Sequence, residues 1–491
     1  MKASRNEGPD PDPHDGSVPL TDRGTKWAGW ALALLVPVAL IFYLVIGRTQ
    51  WFFQDEWRFL VERDGGDVTN LLAPHNEHWV TLPAILYRGL WHVLGLRHYE
   101  IYQLPAISAH IASSVLLWFI MRRAHVGPWI ATTAATAFLF FADVELDITW
   151  AFQITFMGSV AFGLAQLVLA DHDGPLGPRD VGGILAGVAS VMCAATGLVL
   201  IPAVALTVWV RRGWRSAAVH TMPTTIVYLT WLATAGAGTL SKQRAGAGAT
   251  VRFVQVGLEA ALTRFAGASW LAVTLGLLAS AGLVVRWQHG GGEFLRRSIA
   301  PIALAISAFG LLLVTGMNRV LTQGVSFATT PRYSHVAIAL LLPLIAVGID
   351  ELVKRWHFLA LPLCALLLSG IPVVAWGTRS RTDPLVPPAL VLALAHSPLL
   401  DGVPRDWTPF PNSTGARAIT AGWLQDSVAE GRIPSVATSP AINARVRELL
   451  ALYVDLKPSG VHQCRPFHEP RTVVLRAGES VGFVGGGVFF T

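Results

Sequence analysis

Apolar runs close to the roughly 20 residues that a helix needs to cross a bilayer recur along this chain. They fall at 27–47, 101–121, 127–142, 152–170, 181–195, 197–210, 217–236, 268–285, 299–317, 336–350 and 357–376. No water satisfies backbone groups inside lipid, so spanning segments are helices or closed barrels. Continuous rather than alternating apolarity selects the helix. Composition agrees, because 53% of the 491 residues are hydrophobic and only 14% charged, against roughly 25% charged in soluble domains. The expected fold is an all-α polytopic membrane protein with about eleven transmembrane helices. The closely spaced runs between 181 and 210 leave that count open by one.

Residues 1–26 are polar and rich in Pro, Gly and Asp, with no short apolar core before a small-residue cleavage site. They read as a disordered cytoplasmic tail ahead of a retained first span. The Lys and Arg of "TDRGTK", "MRRAH", "VRRGWRS", "RWQHGGGEFLRR" and "ELVKRWH" fall on one side if the spans alternate, and that side is the cytoplasm. The connections 48–100 and 237–267 then lie outside, as does the tail. This gives a transmembrane domain over 27–376 and a C-terminal extracytoplasmic domain over 377–491. In the tail "NARVRELLALYVDL" reads as a helix and "RTVVLRAGESVGFVGGGVFFT" as two short strands, which makes a small α+β domain. "PLVPPALVLALAHSPLL" is short for a twelfth span, which would turn the tail inside. Three cysteines make no disulfide framework. The net charge of +6 is spread over many loops, so membrane lipids and no nucleic acid are the expected partners of the basic side chains.

Ionisable groups inside spans are costly and usually functional, yet His110 is the one clear instance near a midplane. Polar chemistry gathers at the outer ends instead. Asp55, Glu56 and Arg58 follow the first span in "WFFQDEWRFL"; "PHNEHW" supplies His75, Glu77 and His78; "DVELDITW" supplies Asp143, Glu145 and Asp147. "NRVLTQGVSFATTPRYSH" supplies Arg319, Arg332, Tyr333 and His335. Each has a plain reading. The aromatic residues around Asp55 suit an interfacial belt, "PHNEHW" suits a polar loop entering an amphipathic interfacial helix, and His110 suits a hydrogen-bonded packing role. The His-x-Glu-His spacing differs from the H-E-x-x-H pair that sets two histidines on one helical face. Arg88 serves equally for snorkelling to headgroups or for binding an anion, and Arg332 beside Tyr333 suits a headgroup anchor.

Three features together resemble a known superfamily: the acidic pair at 55 and 56, the amphipathic stretch "PHNEHWVTLPAILYRGLWHVLGL" leading to a span that closes on arginines, and "PRYSHVAIALLLPL" before a late span. The chain looks like a C-type glycosyltransferase, an integral membrane enzyme that uses polyprenyl-phosphate sugars, as protein O-mannosyltransferases, aminoarabinose transferases and arabinosyltransferases do. The usual "HPP" is replaced here by "HNEHW", and the proline expected after "RY" is missing.

The resemblance implies transfer of a sugar from a polyprenyl-phosphate donor to a cell-envelope glycan, lipid or protein acceptor, outside the cytoplasm. By it Asp55 is the general base of an inverting reaction, with Glu56 beside it. Arg332 and Tyr333 take the donor phosphate, with Arg88 second. His75, Glu77, His78, Glu145 and Asp147 contact sugar or acceptor, and a divalent cation is left open. Two rivals from other classes stand beside it. A transporter or flippase of a lipid-linked or polar solute has a similar span count, but its sites lie near the midplane. A noncatalytic scaffold or a metal-dependent hydrolase of lipid phosphates is the other.

Overall fold

The computed structural model describes residues 23–63, 68–141, 145–239, 243–371 and 385–451. Among them there are helices and no β-strand; the strands expected near the C-terminus and the boundary at 377 lie outside the described residues. In chain order the helices are α1 (Arg23–Gly47), α2 (Asp55–Glu62), α3 (Val68–Leu72), α4 (Thr81–Leu94), α5 (Tyr99–Arg123), α6 (Pro128–Leu139), α7 (Glu145–Thr149), α8 (Ile154–Ala170) and α9 (Pro178–Cys193). Then come α10 (Leu200–Arg212), α11 (Trp214–Thr234), α12 (Ala247–Ala266), α13 (Ser269–Gln323), α14 (Pro331–Arg355), α15 (Ala360–Leu368), α16 (Pro388–Ala395), α17 (Ala421–Ala429) and α18 (Pro440–Ala451).

The chain divides into two units, the first made of Met1–Thr49, Asp67–Ile85 and Glu100–Ser380. Among its described residues six helical stretches are long and apolar enough to cross a membrane: α1, α5, Ala151–Ala170, Ala195–Arg212, α13 and α14. The α14 helix is the most enclosed, with 83% of its most apolar window buried. It packs on α13 where Gly282 and Gly348 remove the side chains between the backbones. A Cβ at Gly282 would lie 1.9 Å from the Gly348 carbonyl oxygen, and one at Gly348 would lie 2.1 Å from that of Ala279. Such close approach is the usual packing device of helices in lipid.

Two stretches differ from the expectation. The runs 268–285 and 299–317 are joined within α13, and the connection between them is helical except for a break at Gly291, which has φ 50. Arg and Glu flanking the glycines are good helix formers, and Arg297 pairs with Glu293 one turn away at 2.7 Å. The outer connection expected at 237–267 instead carries the 20-residue α12. It buries Phe253, Gly257, Ala261 and Phe265, spaced four apart, and ends on Gly267 in the left-handed conformation, a common helix stop. Arg252, Glu259 and Arg264 on its other faces dilute its apolarity.

The second unit comprises Gln50–Gly66, Leu86–Tyr99 and Arg381–Thr491. Segments 50–66 and 86–99 group with the tail through packing. Trp423 of α17 stacks on Trp91 with ring centres 5.2 Å apart and meets the edge of Trp57 at 6.4 Å. Arg432 covers the Trp91 ring at 5.6 Å. Trp57, Phe59 and Tyr87 are buried there with Leu390, Leu394, Ile419 and Leu424. The run weighed as a twelfth span is helical only over the 8 residues of α16, too short to cross a bilayer.

Candidate functional site

The acidic pair is split by its surroundings. The chain enters α2 through Gln54, whose φ is 46, a value that residues bearing a Cβ rarely adopt. Asp55, the first residue of α2, is half-buried and sits where the helix dipole favours an anion. Glu56 is fully buried. One of its oxygens accepts from the Phe53 N–H, just ahead of the helix, at 2.8 Å. The Tyr87 hydroxyl donates to Glu56 at 2.7 Å and the Tyr99 hydroxyl at 3.1 Å. The aromatic residues flanking the pair pack on one another, since Trp51, Phe52 and Tyr99 meet ring to ring and Trp57 closes the cluster. Arg88 follows Tyr87 on α4; it is half-buried and has no ion-pair partner among the described residues.

In the first unit a second group forms around "PHNEHW". His75 and His78 exchange backbone hydrogen bonds of 3.0 Å in both directions, and Asn76 between them has φ 53, a turn that Asn tolerates. This turn points Glu77 at Arg319, with which it forms an ion pair. His75 is buried against Phe152, ring centres 5.3 Å apart. Phe156 of α8 holds the His78 imidazole at 5.6 Å and the Arg332 guanidinium also at 5.6 Å. Phe327 and Tyr333 complete an aromatic surround for that guanidinium, each at 5.6 Å. Burial, with Arg319, Arg332 and His75 close by, pushes His78 down to about 4. Arg332 has no carboxylate partner among the described residues, and its Nε finds no acceptor.

The remaining expected residues are less informative. Asp147 is buried on the short α7, and the side chain of Glu145 lies outside the described residues. Among the described residues no three His, Cys, Asp or Glu side chains are grouped to hold a metal ion.

His335 lies in the first turns of α14. It is fully buried, and its Nε2 lies 2.9 Å from His110 Nδ1. His110 Nε2 lies 3.1 Å from the Leu139 carbonyl, to which the Tyr43 hydroxyl also donates at 2.9 Å. A donor is needed at His110 Nε2, so His110 Nδ1 accepts and His335 Nε2 carries the proton. Sequence reasoning also missed Phe156, Tyr87 and Tyr99. The first is one aromatic residue in an apolar run, and the tyrosines gave no local sign of the carboxylate they would reach.

No protein-family model matches the chain, and no curated protein does. A solved structure does. The chain is similar to ArnT from Cupriavidus metallidurans, crystallised in the apo state. Identity is 16%, the TM-score is 0.43, and the match covers 83% of this chain and 77% of that one.

Proposed function

We propose that the chain is a membrane glycosyltransferase that moves a sugar from a polyprenyl-phosphate donor to a cell-envelope glycan, lipid or protein acceptor on the extracytoplasmic side. The reading takes about eleven spans, a cytoplasmic N-terminus and an exported C-terminal domain. The observation that carries it is the split of the acidic pair: Asp55 is left partly open at the start of α2 while Glu56 is buried and held by three donors.

In this reading the Asp55 carboxylate takes the proton of an acceptor hydroxyl. The oxygen attacks the anomeric carbon, the bond from that carbon to the phosphate oxygen breaks, and polyprenyl phosphate leaves with the bonding pair. Attack opposite the leaving group inverts the anomeric centre. General base help of this kind contributes about 10²- to 10⁴-fold. A guanidinium answers the charge that grows on the departing phosphate with two parallel N–H donors. Arg332 is assigned that role, with Tyr333 beside it and Arg88 as the second candidate. The absence of a carboxylate partner for Arg332 among the described residues supports the choice. His75, Glu77, His78, Asp147 and Glu145 are assigned to sugar or acceptor, and the aromatic surround of Arg332 suits a water-poor phosphate site. Incubating purified protein with a panel of labelled polyprenyl-phosphate sugars, and following label into envelope glycans, tests the reading.

The alternative, a transporter or flippase of a lipid-linked or polar solute, draws on one observation, the Tyr43, His110 and His335 group buried in spanning helices. Solute counterflow in liposomes without a covalent product supports that alternative instead.

A further inference from the structure

The tail of this chain touches the turn that presents Asp55 with no space to spare. Gly415, in the loop before α17, lies so close to Gln54 that a Cβ on it would sit 1.8 Å from the Gln54 carbonyl oxygen, 2.2 Å from its carbonyl carbon and 2.6 Å from its Cα. Gln54 is also the residue with φ 46 and ψ −116, a conformation glycine takes freely and glutamine does not. Such a conformation persists only where the surroundings over-determine it, and the surroundings are on the page. On one side the Phe53 N–H is tied to the Glu56 carboxylate at 2.8 Å. The first turn of α2 closes through Glu56 N–H to Phe53 O and Trp57 N–H to Gln54 O, both 3.2 Å. On the other side lies the Gly415 backbone, anchored by Ser413 N–H to Phe410 O at 3.1 Å and Ala418 N–H to Gly415 O at 3.1 Å. Trp423 follows within the same segment and packs on Trp57.

We propose that the C-terminal segment around Gly415 is a positioning element for Asp55. It presses the Gln54 peptide into its unfavourable conformation and so fixes the direction in which the Asp55 carboxylate leaves the start of α2. The tail is thereby a working part of the Asp55 turn and not an appended module. Gly415 is required at that contact because no residue with a side chain fits, and the assignment rests on the reading of Asp55 as general base.

The test uses the full-length protein in detergent or nanodiscs. Displacing a reacting group by about 1 Å can cost about 10²-fold, so Gly415→Ala is expected to lower kcat by about 10- to 100-fold with the donor KM unchanged. Amide hydrogen exchange at Glu56 and Trp57 should rise in the same variant while exchange in α14 stays as in the parent. Gln54→Gly, which adopts the same φ without strain, should keep kcat, and in combination with Gly415→Ala should recover much of the loss by letting the 54 carbonyl turn away. Gln54→Val disturbs the turn from its own side and should reproduce the kcat loss, so it decides alone if Gly415→Ala does not fold. Parent-like kcat and exchange in Gly415→Ala or Gln54→Val overturn the proposal, as does a loss confined to KM. An Asp55→Asn enzyme with normal turnover overturns the base reading itself; increased exchange in Gly415→Ala would then mark a contact with no part in transfer, and the proposal falls with it.

Discussion

The Tyr87 hydroxyl donates a 2.7 Å hydrogen bond to the fully buried Glu56 carboxylate. Three donors are what make a buried carboxylate tolerable. Replacing one acceptor oxygen by an amide in Glu56→Gln turns a donor toward a hydroxyl already donating, and leaves a buried mismatch worth about 1–3 kcal/mol. Tyr87→Phe removes one neutral partner of a charged group and should cost about 1.5–3 kcal/mol. Thermal melts in detergent should rank both variants below the parent.

Arg332 should behave as a ligand-facing cation rather than a structural one. Removing a charge-assisted donor costs about 1.5–3 kcal/mol, so Arg332→Ala should raise the donor KM by about 10- to 100-fold with little change in melting temperature. Arg332→Lys keeps the charge but loses the flat face that lies on Phe156, Phe327 and Tyr333, so it should recover only part of the binding. Initial rates against donor concentration check both.

His78 sets a pH dependence of stability. Its folded-state value is lowered from the ordinary 6.5 to about 4, so between these values the unfolded chain binds more protons than the folded one. Stability is therefore full above about pH 6.5 and falls as the pH drops toward about 4. His125 acts in the same sense, lowered to about 4 by burial and by Arg297, Arg286, Lys354 and Arg211. His78→Gln should flatten the loss between pH 6.5 and 4 in denaturation followed at several pH values, and His78→Gln with His125→Gln should flatten it further.

The contact of α13 with α14 should be intolerant of any added atom. Gly348→Ala brings a methyl against the Ala279 carbonyl, and forcing such packing costs about 1–3 kcal/mol. Lower melting temperature and lower yield are the expected results. Gly276→Ala, on α13 with nothing near its Cβ position, is the control that should leave both unchanged.

What the sequence carried and what it did not follow the range of the interactions. Continuous apolarity is local, so α1, α5 and α14 could be read directly from their runs. The α12 helix escaped because its apolar residues recur every fourth position among charged ones, an amphipathic pattern that a search for uninterrupted runs passes over. At the site, the acidic pair stood out at once, but the different fates of its members depend on Tyr87 and Tyr99, 31 and 43 residues further along. The ion pair of Glu77 with Arg319 spans 242 positions. The residue types announced polar chemistry; which carboxylate is buried and which cation lacks an acid is decided by packing between distant segments.

The most direct measurement is the rate of sugar transfer from a polyprenyl-phosphate donor by purified Asp55→Asn protein beside the parent. Loss of transfer by about 10²-fold or more, with unchanged expression and melting temperature, is the predicted result. Parent-like turnover in a normally folded Asp55→Asn enzyme would contradict the account.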